Sequence, residues 1–140
     1  MPNWCSNEVD VWGPEKDIKA FKELVATDKE VFSFNKILPM PEELDGLPSP
    51  NRDNAEVERL TQKYGYSDWY QWRLAHWGVK WDSEGELVDE SNESLTYNLE
   101  TPWCPPEGIY NELVERFPEL DIAWFYREDG MRMAGWLEES

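Results

Sequence analysis

The chain has one histidine, two cysteines, and only 13 lysines and arginines against 30 aspartates and glutamates. Each scarcity removes a class of function. Cys5 and Cys104 show neither CxxC spacing nor a nearby pair of histidines, so zinc-finger and thioredoxin-type readings fail and reduced thiols are expected. The basic residues are scattered, and a net charge of −17 repels a phosphate backbone, so direct nucleic-acid binding is disfavoured. No apolar run approaches the roughly eighteen residues of a membrane span, and neither a secretory signal nor an internal repeat is found. The expectation is a cytoplasmic protein with no membrane partner, no cofactor and no metal site.

What the chain does have is aromatic mass. Aromatics are 14 % of 140 residues and include nine tryptophans, enough to drive collapse despite a mean hydropathy of −0.77. Four of those tryptophans and the histidine fall between Trp69 and Asp82. Here Ser67 suits a helix N-cap, Trp69, Trp72 and His76 fall on one helical face, and Gly78 suits the left-handed end. Alternation from Val79 to Asp82 then predicts a strand.

Elsewhere the periodicity is easier to follow. Asn7 to Trp12 alternates as a strand with Asn7, Val9 and Val11 on its buried face. After Gly13-Pro14, the residues Ile18, Phe21 and Leu24 or Val25 mark an amphipathic helix. Val31 to Ile37 reads as a short strand or extended segment, and residues 42–54 as an acidic surface loop. A helix over Ala55 to Tyr64 ends at Gly65, and residues 83–94 read as an irregular acidic connection in which Leu87 and Val88 resemble strand residues. Leu95 to Thr101 is a clear strand. Ile109, Leu113 and Phe117 mark a helix, Leu120 to Arg127 a strand, Glu128-Asp129-Gly130 a turn, and Met131 to Leu137 a last strand.

The order β, α, insertion, β, β, α, β, β gives an α+β class: a ferredoxin-like split βαβ with an extra C-terminal strand. It forms a single domain over residues 1–140, with a loop and helices inserted at about 38–78, between the first helix and the second strand. Right-handed crossovers place the first strand between the third and fourth, so both helices cover one sheet face. The other face then carries Glu8, Asp10, Lys80, Asp82, Asn98, Glu100 and Arg127. Readers of single-stranded RNA put stacking aromatics on such a face; here only Trp12 and Phe125 break an acidic pattern, and the insertion is expected to cover them.

Several spaced motifs carry a resemblance. Met1-Pro-Asn-Trp-Cys-Ser-Asn7, Phe32-Ser-Phe-Asn-Lys-Ile-Leu-Pro-Met-Pro-Glu-Glu-Leu44, Trp77-Gly-Val-Lys-Trp-Asp82, Thr101-Pro-Trp-Cys-Pro-Pro106 and Ala134-Gly135 resemble, in order and over nearly the whole chain, the YubB-like family of phage and plasmid proteins. That family is also called the Api-type ferredoxin-like domain. The resemblance implies the fold and a mobile-element origin, but no catalytic residue, because the family has no established activity. Cys104 stands where many relatives have serine, which takes the thiol out of any shared function. The acidic tail of longer relatives is expected to be missing.

The topology gathers these motifs at one sheet edge. Asn3, Trp4, His76, Trp77, Lys80, Trp81, Asp82, Trp103 and Arg127 form the candidate pocket, with Cys5 and Cys104 close in space and reduced among Trp4, Trp77 and Trp103. Trp4, Trp77, Trp81 and Trp103 are expected to be largely buried, holding the insertion on the sheet. His76 reads as a structural residue at a helix C-terminus. The carboxylates Glu8, Asp10, Glu84, Glu86, Asp89, Glu90, Glu93 and Glu100 form a candidate acidic interaction surface. Two functions compete. The leading one is a non-enzymatic accessory protein that binds a host or mobile-element protein with a basic surface, in its sharpest form a DNA-mimicking inhibitor of a nucleic-acid-handling or defence protein. The alternative is a small-molecule binder or enzyme using the tryptophan-lined edge.

Overall fold

Alternation along Trp4–Trp12 places Cys5, Asn7, Val9 and Val11 on one side of a strand, and all four are buried. This strand, β1, is the centre of the molecule. The computed structural model describes residues 3–138, and in it β1 is flanked by β3 (Ser94–Pro102) and β4 (Asp121–Glu128), both antiparallel. With β2 (Glu84–Glu90) and β5 (Met133–Trp136) at the edges, the sheet order is β2-β3-β1-β4-β5. The two crossover helices are α1 (Glu15–Val25) and α5 (Glu107–Arg116). The architecture is ferredoxin-like with an added edge strand, as the residue pattern implies.

Between α1 and β2 lie α2 (Phe34–Ile37), a 3-10 turn at Glu42–Leu44, α3 (Asn54–Tyr64) and α4 (Trp69–His76). They join the helical side: α2 contacts α1 and α5, and α4 contacts α5. Gly108 makes the last contact possible, since a Cβ there would stand 1.8 Å from the His76 carbonyl oxygen. Beneath the helices, Phe21, Phe32, Phe34, Trp77, Tyr97 and Trp124 meet edge to face in one core. No helix among the described residues is long and apolar enough to cross a membrane.

Four local expectations change. Residues 79–82 are not a strand: Val79 is buried but Trp81, which alternation would place on the same side, is exposed, and the segment bends without joining the sheet. The second strand is instead β2, which is exposed along nearly its whole length and has a bulge between Leu87 and Asp89. Residues 34–37 form a turn of helix rather than a strand, because Asp82 supplies its N-terminus with acceptors: Oδ1 from Phe34 N at 2.7 Å and Oδ2 from Asn35 N at 3.1 Å. Asp68, not Ser67, caps α4, its Oδ1 accepting from Gln71 N at 2.9 Å. Gly78 is left-handed as its position suggests, with φ +90.

Candidate functional site

The insertion packs with the helices, so it leaves the other sheet face bare and does not cover Trp12 or Phe125. Trp12 is 46 % exposed, and Phe125 is half-buried against the ring of Trp136, with centroids 4.9 Å apart. Register arranges the bare face in cross-strand rows. One runs Glu84, Glu100, Ser6, Arg127; the next, two residues along each strand, runs Glu86, Asn98, Glu8, Phe125, Trp136. Apart from Trp136, they line a groove of about 580 Å³.

The electrostatics of this groove are one-sided. Among the described residues, none of Glu8, Glu84, Glu86 and Glu100 has an ion-pair partner; Glu100 accepts only from Ser6 Oγ, at 3.1 Å. The lone cation of the groove, Arg127, is engaged by Asp129, Nε to Oδ1 at 2.6 Å. Glu84 stands directly opposite Glu100 in the ladder, a like-charge pair that weakens a sheet. The rest of the candidate acidic surface is divided. Asp10 accepts from Thr96 Oγ1 at 2.7 Å, Glu90 pairs with Lys22 of α1, Asp89 follows the bulge, and Glu93 lies in the β2–β3 turn.

At one end of the same face sits an indole cluster. Trp4 and Trp81 have ring centroids 6.2 Å apart, and the Lys80 ammonium lies 4.4 Å over the Trp81 ring. Trp103 joins through the backbone, its N–H donating to Asn3 O at 2.8 Å. These three indoles are not buried, contrary to expectation: Trp4 and Trp103 are 43 % exposed and Trp81 39 %. Trp103 also holds φ +70, a left-handed conformation that a bulky residue adopts at a cost.

The other members of the sequence-derived pocket separate from this cluster. Trp77 is wholly buried, donating from Nε1 to Leu38 O at 2.9 Å. His76 is exposed on the helical layer and stacks on Trp72 at 4.2 Å. Asp82 is occupied by α2 and Ser83 N. The two thiols do come together, free and linked through Thr101, which faces Cys5 in the ladder and donates to Cys104 O at 2.7 Å. Burial pushes the Cys5 pKa from 9.0 up to about 11, with Cys104 among the neighbours adding to the rise. Burial raises the Cys104 thiol as well, so neither is an activated nucleophile.

A second cleft, of about 480 Å³, lies inside the insertion and is lined in part by Asn35, Asp45, Arg73 and Asp82. The Arg73 guanidinium lies 5.1 Å from the Trp69 ring and 5.0 Å from the Trp77 ring; Nη1 donates to Lys80 O at 3.2 Å, and buried Nε has no partner. Burial lowers its pKa, opposed by Asp45 and Asp82. No cluster of three or more metal-ligating side chains occurs among the described residues.

Residues 76–138, from the end of α4 through β5, match the family model described as the ferredoxin-like domain in Api92-like protein. The match takes in a little under half of the chain. An uncharacterized protein, YubB of Escherichia coli (strain K12), is 26 % identical over 69 residues, which make up 48 % of each chain. The match therefore spans about half the length of that relative. The crystal structure of protein api92 from Yersinia pseudotuberculosis superposes with a TM-score of 0.63, covering 97 % of this chain and 93 % of its own at 11 % identity. That likeness speaks for the fold. The Api92-like match brings no established activity, so the chemistry of the site rests on this chain's own residues.

Residues that sequence reasoning missed are Ser6 and Trp136. Ser6 lies on the outward side of β1, which alternation had marked from residue 7 onward. Trp136 is 60 % exposed, and its place beside Phe125 depends on β4–β5 register, for which the turn at residues 128–130 was the available signal.

Proposed function

We propose that this protein is a non-enzymatic, acidic protein-binding module that docks its bare sheet face onto a basic surface of a partner. The observation that supports this reading is the combination on one uncovered face of unpaired glutamates and exposed indoles. Solubility alone accounts for scattered carboxylates, but tryptophans left half in water beside them form the kind of patch that interfaces use. In the mobile-element setting that the resemblance implies, the partner is a host protein that handles nucleic acid or serves in defence, and the carboxylate rows occupy its basic groove. A pure phosphate mimic has no use for the indoles, which favours a partner-specific contact. Immobilised protein is exposed to host lysate at about 50 mM salt and washed in steps to about 300 mM, alongside a variant with Glu8, Glu84 and Glu86 changed to glutamine. The expected result is specific retention at low salt that fades as screening grows and is absent from the variant. Retention of nothing, or equal retention by the variant, contradicts the reading.

A second reading, binding of a small molecule, is favoured by one observation: the partnerless Nε of Arg73 beside the insertion cleft. It moves that function from the sheet edge to the insertion. Titration of intrinsic tryptophan emission with nucleotides and metabolite pools tests it through Trp77, which lines the cleft; unchanged emission counts against it.

A further inference from the structure

We propose that the two cross-strand rows of the bare face read the register of an extended, arginine-containing segment of the partner, taking arginines at alternate positions onto successive rows. The proposal deepens the binding-module reading and rests on it.

Spacing comes first. Side chains on one face of an extended chain recur every second residue, about 6.8 Å, and the two rows of the groove are offset by the same two residues, so an extended ligand and the sheet share one repeat. Charge comes second. The first row sets Glu84 directly against Glu100 with no cation at either, a repulsion that folding alone gives no reason to keep. A guanidinium placed over that pair removes the repulsion and donates to both carboxylates through its forked N–H groups, which a lysine ammonium cannot do as well. In the second row, Glu86 and Glu8 flank Asn98, and the row continues into Phe125 and Trp136. An arginine lying along it finds carboxylate first and then an aromatic face for its plane and stem.

The limits of the groove agree. Arg127 closes the first row on its far side and is itself satisfied by Asp129, so it repels a third cation without offering a competing counter-charge. Beyond the first row, the Trp4 and Trp81 indoles already hold one ammonium, that of Lys80, on a ring face. A peptide entering from that end meets aromatic surface before it meets carboxylate. All of this faces away from the helices.

The test uses the unaltered protein and three synthetic peptides of about eight residues: arginine at alternate positions, the same residues with the arginines contiguous, and the alternating peptide with citrulline for arginine. Dissociation constants are measured calorimetrically at about 50 mM salt. The alternating peptide is expected to bind about tenfold more tightly than its contiguous isomer, and the citrulline peptide not to bind. Glu84→Gln, Glu86→Gln and Trp136→Ala, all at exposed side chains and checked for fold by circular dichroism, are each expected to weaken the alternating peptide severalfold and to narrow its lead over the isomer. Equal affinity for the two arginine peptides overturns the proposal while leaving an acidic binding module standing. So does retention of a protein from lysate with no binding of any peptide. If neither peptide nor lysate protein binds, the underlying reading falls with it.

Discussion

Asn7 ties the three central strands together through one buried side chain. Its amide sits 2 % exposed on β1, donates to Cys5 O, Leu99 O and Thr101 Oγ1, and accepts from Trp124 Nε1 at 2.9 Å. Asn7→Ala leaves the buried indole N–H without an acceptor, and a loss of roughly 2–4 kcal/mol in chemical denaturation is expected. Its neighbour Cys5 makes stability depend on alkaline pH. Below about pH 9 folded and unfolded chains both keep the thiol proton; between there and about 11 only the unfolded chain gives it up, so stability falls across that window. Denaturation midpoints of wild type and Cys5→Ala are therefore expected to converge from pH 8 to pH 11, and a constant gap refutes the assignment. Alternation alone marked Asn7 as inward-facing. Nothing in the sequence marked Trp4, Trp81 and Trp103 as exposed, because tryptophan is usually buried and the left-handed turn at Trp103 is fixed by the prolines around it and by Asn3 O, a tertiary contact.

Elements with two distinct faces were legible and those without were not. β1, β3, α1 and α5 each bury a periodic stripe, and α3 ends on Gly65 at φ +84 as its sequence indicates. β2 has no such stripe: Gly85 packs against β3, and only Leu87 is sheltered, so its pairing comes from the neighbouring strand and not from its own apolar pattern. The apparent strand at 79–82 arises because Val79 plugs the core just before the chain turns to bring Asp82 to α2. Asp82→Ala removes four acceptor contacts, to Ser33 Oγ, Phe34 N, Asn35 N and Ser83 N, and is expected to cost about 1–3 kcal/mol. Gly108→Ala should do more, since the added methyl meets a carbonyl and not a flexible side chain; a loss of about 3 kcal/mol or more, read as a lower melting temperature, is expected.

For the whole molecule, a charge of −17 means self-repulsion, which salt relieves. The melting temperature is expected to rise between about 20 and 300 mM sodium chloride, and Glu84→Lys, opposite Glu100, to stabilise the fold by about 0.5 kcal/mol while abolishing the binding of basic peptides. The same concentration of charge that costs stability is the proposed recognition surface, a trade that proteins commonly make at functional sites. The sheet order has a consequence for biosynthesis. The central strand is made before the other strands of the sheet, and both of its neighbours, residues 94–102 and 121–128, leave the ribosome long after it. Until then the nascent chain carries a ready-made sticky segment, with Val9 and Val11 uncovered and both backbone edges open to any passing strand. Folding of this topology is governed by long-range closure and so is slow for its size, and Glu8 and Asp10 on the outward side of that segment give the waiting strand a repulsive coat against its own kind.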